Sequence, residues 1–183
     1  MAVEKELLEI IRQGVVDREQ ATDPEKLRGS RRVDIESVDH LTYRARDTAT
    51  PNFEIVVDEP HERGGRNQGP SPIAYFLTGA GACLLNNFIN VSIAEGLNLR
   101  FQQNQVKGEF RREVGGSFQS ITQDVFVEGD ASEAVMQKLT EKAEAFCFIH
   151  MTLIKVVKMT TVVHLNGKEV VRRISEPAVP TGH

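Results

Sequence analysis

The chain lacks the spacing of a metal centre. Its only two cysteines, Cys83 and Cys147, stand 64 positions apart, and neither they nor the five histidines fall into a CxxC or HxxxH pattern. Structural and catalytic zinc sites build on such spacings, so no metal and no cofactor is expected. The chain also lacks a positive excess. Its net charge is -4 and its pI about 5.8, where nucleic-acid binders carry a basic patch. It lacks an uninterrupted apolar run of about 18 residues, the least that spans a bilayer. Its first residues, Met1-Ala2-Val3-Glu4-Lys5-Glu6, have neither the basic start nor the apolar centre of a secretory signal. These absences predict a protein of the cytoplasm, with no nucleic-acid and no membrane partner.

What is present fits one globular domain. With 183 residues the chain can bury a sizeable core. Its 26% charged and 40% hydrophobic residues are ordinary for a globular protein. In a reducing compartment two cysteines are free thiols, or catalytic and redox-sensing ones, not a structural bridge. Cys83 lies in the apolar run Pro72–Leu85, and Cys147 ends the pattern Ala143-Glu144-Ala145-Phe146-Cys147-Phe148. Both sites suit buried filler, because free cysteine packs as a small hydrophobe. Both also suit a redox pair.

Periodicity divides the chain further. Apolar side chains at helical spacing (Leu7, Leu8, Ile10, Ile11) with early acids predict a helix over 3–13. Charge, Pro24 and Gly29 then read as a linker over 17–32. Alternation at Leu41, Tyr43 and Ala45 predicts a strand, with Phe53–Val57 returning. Residues 58–71 read as a glycine-rich loop. Ser71 is a good N-cap and Pro72 suits the first turn of a helix that stops at Gly96. The small residues Gly79, Ala80, Gly81 and Ala82 predict close approach of another backbone, such as a second helix. Asn86, Asn87 and Asn90 line a polar cavity or cross a symmetry axis. Two long strands meet at Gly115-Gly116, Asp130 and Glu133 form a capping box, and Asn166-Gly167 marks a hairpin. The order is helix, two strands, long helix, two strands, helix, two strands. That is an α+β fold with mostly antiparallel pairing. Residues 1–36 read as a helical extension, 37–175 as the core domain and 176–183 as a flexible tail.

Several of these segments resemble a known family. Val56-Val57-Asp58-Glu59-Pro60, Gly64-Gly65, Gly69-Pro70-Ser71-Pro72 and Gly79-Ala80-Gly81-Ala82-Cys83 resemble the osmotically inducible protein C (OsmC)-like family, and Cys147-Phe148-Ile149-His150 resembles the segment around its second cysteine. The resemblance covers about residues 38–174. It implies an intertwined homodimer, with antiparallel sheets wrapped around two long central helices and, here, an extra N-terminal helix. It also implies a cysteine-based reductase of small organic hydroperoxides. Cys83 would attack the peroxide, Cys147 would resolve the product to a disulfide, and an external dithiol would reduce it.

The chemistry needs a cation to favour the thiolate. Active relatives hold an arginine with a glutamate near the start of the cysteine helix. Here Ile73 and Ala74 stand where that acid is expected, and no acid lies between Pro72 and Cys83. The arginine candidates are Arg44 and Arg46, which share one strand face, then Arg63 and Arg66. Each has an ordinary reading as a solvated residue, as does His150. The alternative to a peroxidase is a non-enzymatic dimer that binds a small apolar molecule or senses thiol oxidation. A hot-dog thioesterase would want a carboxylate on the long helix, and the Pro72–Cys83 segment has none.

Overall fold

The computed structural model describes residues 2–177, so most of the expected tail lies outside the described residues. The chain divides into two units: residues 21–76, and residues 77–183 joined by the first twenty.

The larger unit is built on a four-stranded sheet. Strands β4 (Leu99–Phe110), β5 (Phe118–Gly129), β6 (Lys158–Leu165) and β7 (Lys168–Ser175) lie in that order. The β4–β5 and β6–β7 pairs are antiparallel, while β5 and β6 run parallel. A parallel pair needs a crossover, supplied by helices α3 (Glu133–Phe146) and α4 (Phe148–Leu153). The Asn166-Gly167 hairpin forms as its residues require, with φ of 51° and 82°. The glycine pair closes a longer loop than its spacing predicted, because β4 stops at Phe110 and β5 starts at Phe118. Helix α3 begins two residues later than the capping box suggested. Ser132, not Asp130, is its N-cap, with Oγ accepting from the Val135 N–H at 3.3 Å.

Helix α2 (Pro72–Ala94) is the long helix foreseen in the sequence, and Gly96 follows it with φ of 69°. By length and composition it is apolar enough to cross a membrane. Its side chains Leu84, Phe88 and Val91 instead pack fully buried with Val125, Val127, Met136, Leu139, Ala143 and Val163. Burial of each such side chain stabilises the fold by about 1.5–3 kcal/mol. Of the small residues at its centre, Gly81 faces a strand, where a Cβ would come within 2.5 Å of Val106 Cγ2 on β4, and Gly79 faces Ile149 of α4. The Gly81 carbonyl also accepts from Asn104 Nδ2 of the same strand at 3.0 Å.

Helix α1 (Ala2–Gln20) runs through the start of the stretch read as a linker. Its docked face is Leu8, Ile11, Val15 and Arg18, a helical i, i+3, i+7, i+10 series, with Val15 buried. Leu7 and Ile10, counted as apolar at helical spacing in the sequence, are exposed.

The smaller unit holds an antiparallel sheet of β1 (Val33–Asp39), β2 (Thr42–Asp47) and β3 (Glu54–Val57). Strand β1 begins inside the stretch expected to be an extension and ends beyond it, and Leu41 sits in a turn whose preceding residue, His40, has φ of 47°. The missed strand alternates only over Val33-Asp34-Ile35-Glu36, breaks the pattern at Ser37-Val38, and is exposed along nearly its whole length.

Two glycines on α2 test the close approach. Gly81→Ala should cost about 1–3 kcal/mol through overpacking on Val106. Gly79→Ala, whose new methyl would meet only Ile149 Cδ1 at 4.0 Å, should be neutral or stabilise by up to about 1 kcal/mol. Thermal unfolding of the two variants should separate them in opposite directions.

Candidate functional site

The two cysteines meet. Cys83 leaves the middle of α2, and Cys147 occupies the single residue between α3 and α4. Their sulfurs lie 3.1 Å apart as free thiols, with the Cys147 S–H donating to Cys83. Cys147 is completely buried, while Cys83 is partly open.

The break between α3 and α4 gives the pair its polarity. Cys147 has an extended backbone (φ -84°, ψ 107°), which ends one helix and starts the next. Its sulfur caps α4 by accepting the His150 N–H at 3.4 Å. The same helix start turns the Phe148 and Ile149 N–H groups toward Cys83. Free N–H groups at a helix start favour negative charge.

These contacts push the two thiols apart in acidity. The proton donated by Cys147, the Ile149 and Phe148 N–H groups and the charge of Arg18 outweigh burial, and hold Cys83 down at about 6. Cys147 is pushed far up, first by its bond to Cys83 and then by burial. One proton is shared between two sulfurs, and the site keeps it on Cys147. At neutral pH Cys83 is therefore mostly thiolate, the reactive form.

The cation set against the sulfurs is Arg18 of α1, a residue within the expected linker. Its guanidinium donates to the Phe146 carbonyl at 2.5 Å and to Asn87 Oδ1 at 3.3 Å. It stacks over the rings of Phe146 and Phe148, at 4.2 and 5.1 Å from their centroids. Asn87 in turn donates to the Cys83 carbonyl at 2.8 Å and approaches Cys83 Sγ at 4.0 Å. Of the three asparagines, Asn87 is buried and works here, while Asn86 is exposed. The clue available in the sequence was period: Arg18 falls on the same helical stripe as Ile11 and Val15.

The arginines favoured from sequence are occupied elsewhere. Arg44 and Arg46 lie on β2 in the smaller unit and both pair with Glu54, at 3.4 and 2.8 Å. Arg63 pairs with Glu59 and Arg66 with Asp39. His150 is buried and its charge is pushed down, chiefly by burial. Its Nε2 lies 3.9 Å from Glu144, which Arg173 holds at 2.7 Å. His150 is thus a neutral residue beneath Cys147. Among the described residues no group of three or more His, Cys, Asp or Glu is placed to hold a metal.

In the smaller unit, the motif residues before α2 build a loop. Asp58 is fully buried and accepts from the backbone N–H groups of Glu59, Arg66 and Gln68 at 2.8, 3.2 and 3.0 Å. A side chain at Gly65 would collide with the Glu59 carbonyl, and one at Gly69 with the Val56 carbonyl. Tyr75 at the start of α2 donates to the Val56 carbonyl at 2.7 Å.

Comparison with known proteins agrees with this architecture. The family model described as OsmC-like protein matches residues 65–162. A putative osmotic stress induced and detoxification response protein from Psychrobacter arcticus aligns with a TM-score of 0.64 at 13% identity, over 75% of this chain and 98% of the other. An OsmC-like protein from Mycoplasma pneumoniae gives 0.62 at 18% identity, over 75% and 97%. An organic hydroperoxide resistance protein from Legionella pneumophila gives 0.56 at 15% identity, over 74% and 96%. The sequence has no match among curated proteins.

If the Cys147 proton is the main support of the Cys83 thiolate, Cys147→Ala should raise the midpoint of Cys83 alkylation from about 6 by roughly one pH unit or more. An unmoved midpoint in iodoacetamide kinetics would count against this origin of the acidity.

Proposed function

The chain belongs to the OsmC-like family, and we propose that it is a thiol-dependent organic hydroperoxide reductase in which Cys83 attacks and Cys147 resolves. The observation that carries the reading is the 3.1 Å contact between an acidic, partly open sulfur and a buried, protonated one. The solved proteins from Legionella pneumophila and Bacillus subtilis that share the fold are titled organic hydroperoxide resistance proteins, which supports the choice of substrate class.

The step balances as follows. The Cys83 thiolate attacks the terminal oxygen of R–O–O–H, and the O–O bond breaks. The alkoxide leaves, takes a proton and departs as the alcohol, and Cys83 becomes a sulfenic acid. The Cys147 sulfur gives up its proton and attacks the Cys83 sulfur. A disulfide forms and water leaves. Two electrons have passed from the thiol pair to the peroxide. An external dithiol returns them by exchange through a mixed disulfide. Closing the S–S bond to its usual length of about 2.05 Å needs the sulfurs to approach by only about 1 Å, so no element has to unfold.

A second reading has its own support. A cavity of about 360 Å³ lies among Val91, Leu97, Val135 and Leu139, with Glu95, Lys138 and Lys142 also lining it. That size suits a small apolar molecule, and it favours the non-enzymatic ligand-binding alternative. The cavity shares no residue with the thiol pair.

We read the working form as a homodimer in the cytoplasm. Large apolar side chains stand exposed on the single chain, among them Leu7, Ile10, Ile35, Phe53 and Phe148, and a second copy would cover part of them. Light scattering coupled to gel filtration should give twice the mass of one chain; a monomer would contradict the dimer.

One equivalent of cumene hydroperoxide should convert both free thiols to a Cys83–Cys147 disulfide, seen by thiol titration and peptide mass. Cys83→Ser should consume no hydroperoxide in the presence of a dithiol. Wild-type protein as inert as Cys83→Ser would end the peroxidase reading and leave the ligand-binding one.

A further inference from the structure

We propose that the cavity between the end of α2 and one face of α3 holds a medium-chain monocarboxylate, with its head on Lys138 and its alkyl chain against Val91, Leu97, Val135 and Leu139. This rests on the second reading above, in which that cavity is a ligand site. It adds the chemical class of the ligand and the sign of its charge.

One wall is fixed by the way α2 ends. The Gly96 N–H meets the Ile93 carbonyl at 3.1 Å, and the Leu97 N–H meets the Ser92 carbonyl at 2.9 Å. With Gly96 at φ of 69°, these two bonds make a Schellman motif, which brings the residue after the glycine back against the helix. Leu97 thereby packs on the core that holds the fully buried Val91. The other wall is a stripe of α3. Val135, Lys138, Leu139 and Lys142 line the cavity in an i, i+3, i+4, i+7 series, which falls on one face of a helix. Leu139 is buried and Lys138 exposed, so the stripe passes from an apolar interior to a cationic rim.

The partners at the rim decide the sign of the ligand. Glu95 pairs with Lys142, which also pairs with Glu19 of α1 at 2.6 Å. One ammonium thus holds both acids, and neither is left to receive a cation. The backbone at the end of α2 is occupied as well. The carbonyls of Val91, Ser92 and Ile93 accept from the N–H groups of Glu95, Leu97 and Gly96, and Ile93 also accepts from Arg12. Among the described residues no carboxylate or other side chain pairs with the Lys138 ammonium. The one polar group at the mouth without a partner is therefore a cation beside an apolar wall. An anion with an apolar tail satisfies both, and an ammonium–carboxylate hydrogen bond is of the strong, charge-assisted kind.

Volume sets the length of the tail. The cavity holds about 360 Å³, near the lower end for small-molecule sites. At about 30 Å³ per small group, the share of one water in the liquid, it takes about a dozen non-hydrogen atoms, which a carboxylate of about eight carbons nearly fills. A long-chain acid does not fit.

The test is titration of the reduced, isotope-labelled full-length protein with sodium octanoate, octanol and octylammonium chloride, followed by amide shifts in NMR. Octanoate should bind saturably, with shifts centred on residues 91–97 and 135–142. Octanol, which lacks the charge, should bind about tenfold more weakly, and octylammonium more weakly still. Lys138→Met should lower the affinity for octanoate about tenfold, to the level of octanol, and leave octanol unchanged. Val135→Phe, which fills the cavity, should abolish binding of both. If Val135→Phe does not fold, the exposed Lys138→Met position decides alone. Octylammonium bound as tightly as octanoate overturns the proposal, and so does an unchanged octanoate affinity in Lys138→Met. Either result, with shifts still centred on the cavity, rejects this ligand class and keeps the ligand-binding reading. No saturable shift at those residues with any of the three compounds rejects both.

Discussion

The site rests on one shared proton. Two thiols 3.1 Å apart cannot both ionise in a half-buried setting, because two like charges at that distance repel strongly at low dielectric. The first ionisation is easy, since the remaining S–H solvates the new charge. The second is suppressed. Which sulfur takes the charge is decided by what surrounds each. Cys83 is partly open and faces two backbone N–H groups and a guanidinium. Cys147 is sealed in the core and already accepts the His150 N–H. Which sulfur carries the charge is therefore set by environment, not by any difference between the residues themselves.

The larger unit is arranged to make that contact. Gly81 lets α2 settle against Val106 of β4, which fixes the depth of Cys83 two residues later. The parallel pairing of β5 with β6 demands a crossover, and the crossover is broken at Cys147. An uninterrupted helix would have no free N–H groups at this point. The break supplies them, and it does so next to the residue that has to meet Cys83. Local structure, packing and chemistry thus depend on the same single-residue gap.

Much of this was legible in the sequence, and the omissions have physical causes. The long helix, its Ser71 and Gly96 boundaries and the Asn166-Gly167 hairpin follow from residues with strong conformational demands. The cysteine pair was legible by resemblance. Strand β1 was not, because its alternation lasts only four residues, Val33 to Glu36, beside a charged stretch that read as a linker. Helix α4 was not, because six residues are too few for a period. Arg18 was hidden by composition: it sits among Asp17, Glu19 and Gln20, which read as a solvated linker. Arg44 and Arg46 drew notice by sharing a strand face, but sequence does not show that Glu54 stands opposite them to pair with both.

The residues of the motif loop before α2 and the residues around the two sulfurs are largely different sets. The segment from Asp58 to Pro72 is fixed by backbone demands. Asp58 gathers three N–H groups, and burial pushes its carboxyl up less than those donors hold it down. Gly65 and Gly69 are required because carbonyls occupy the space a side chain would need. None of these constraints refers to a thiol. They hold whatever the charge near Cys83, and here they form with Ile73 and Ala74, not an acid, at the start of α2. The acid's absence has a specific consequence for the cation. A carboxylate at the start of α2 would anchor an arginine and also cancel much of its charge. Asn87, the Phe146 carbonyl and two rings anchor Arg18 without that loss. A guanidinium held by dipoles keeps more of its field than one held by an ion pair.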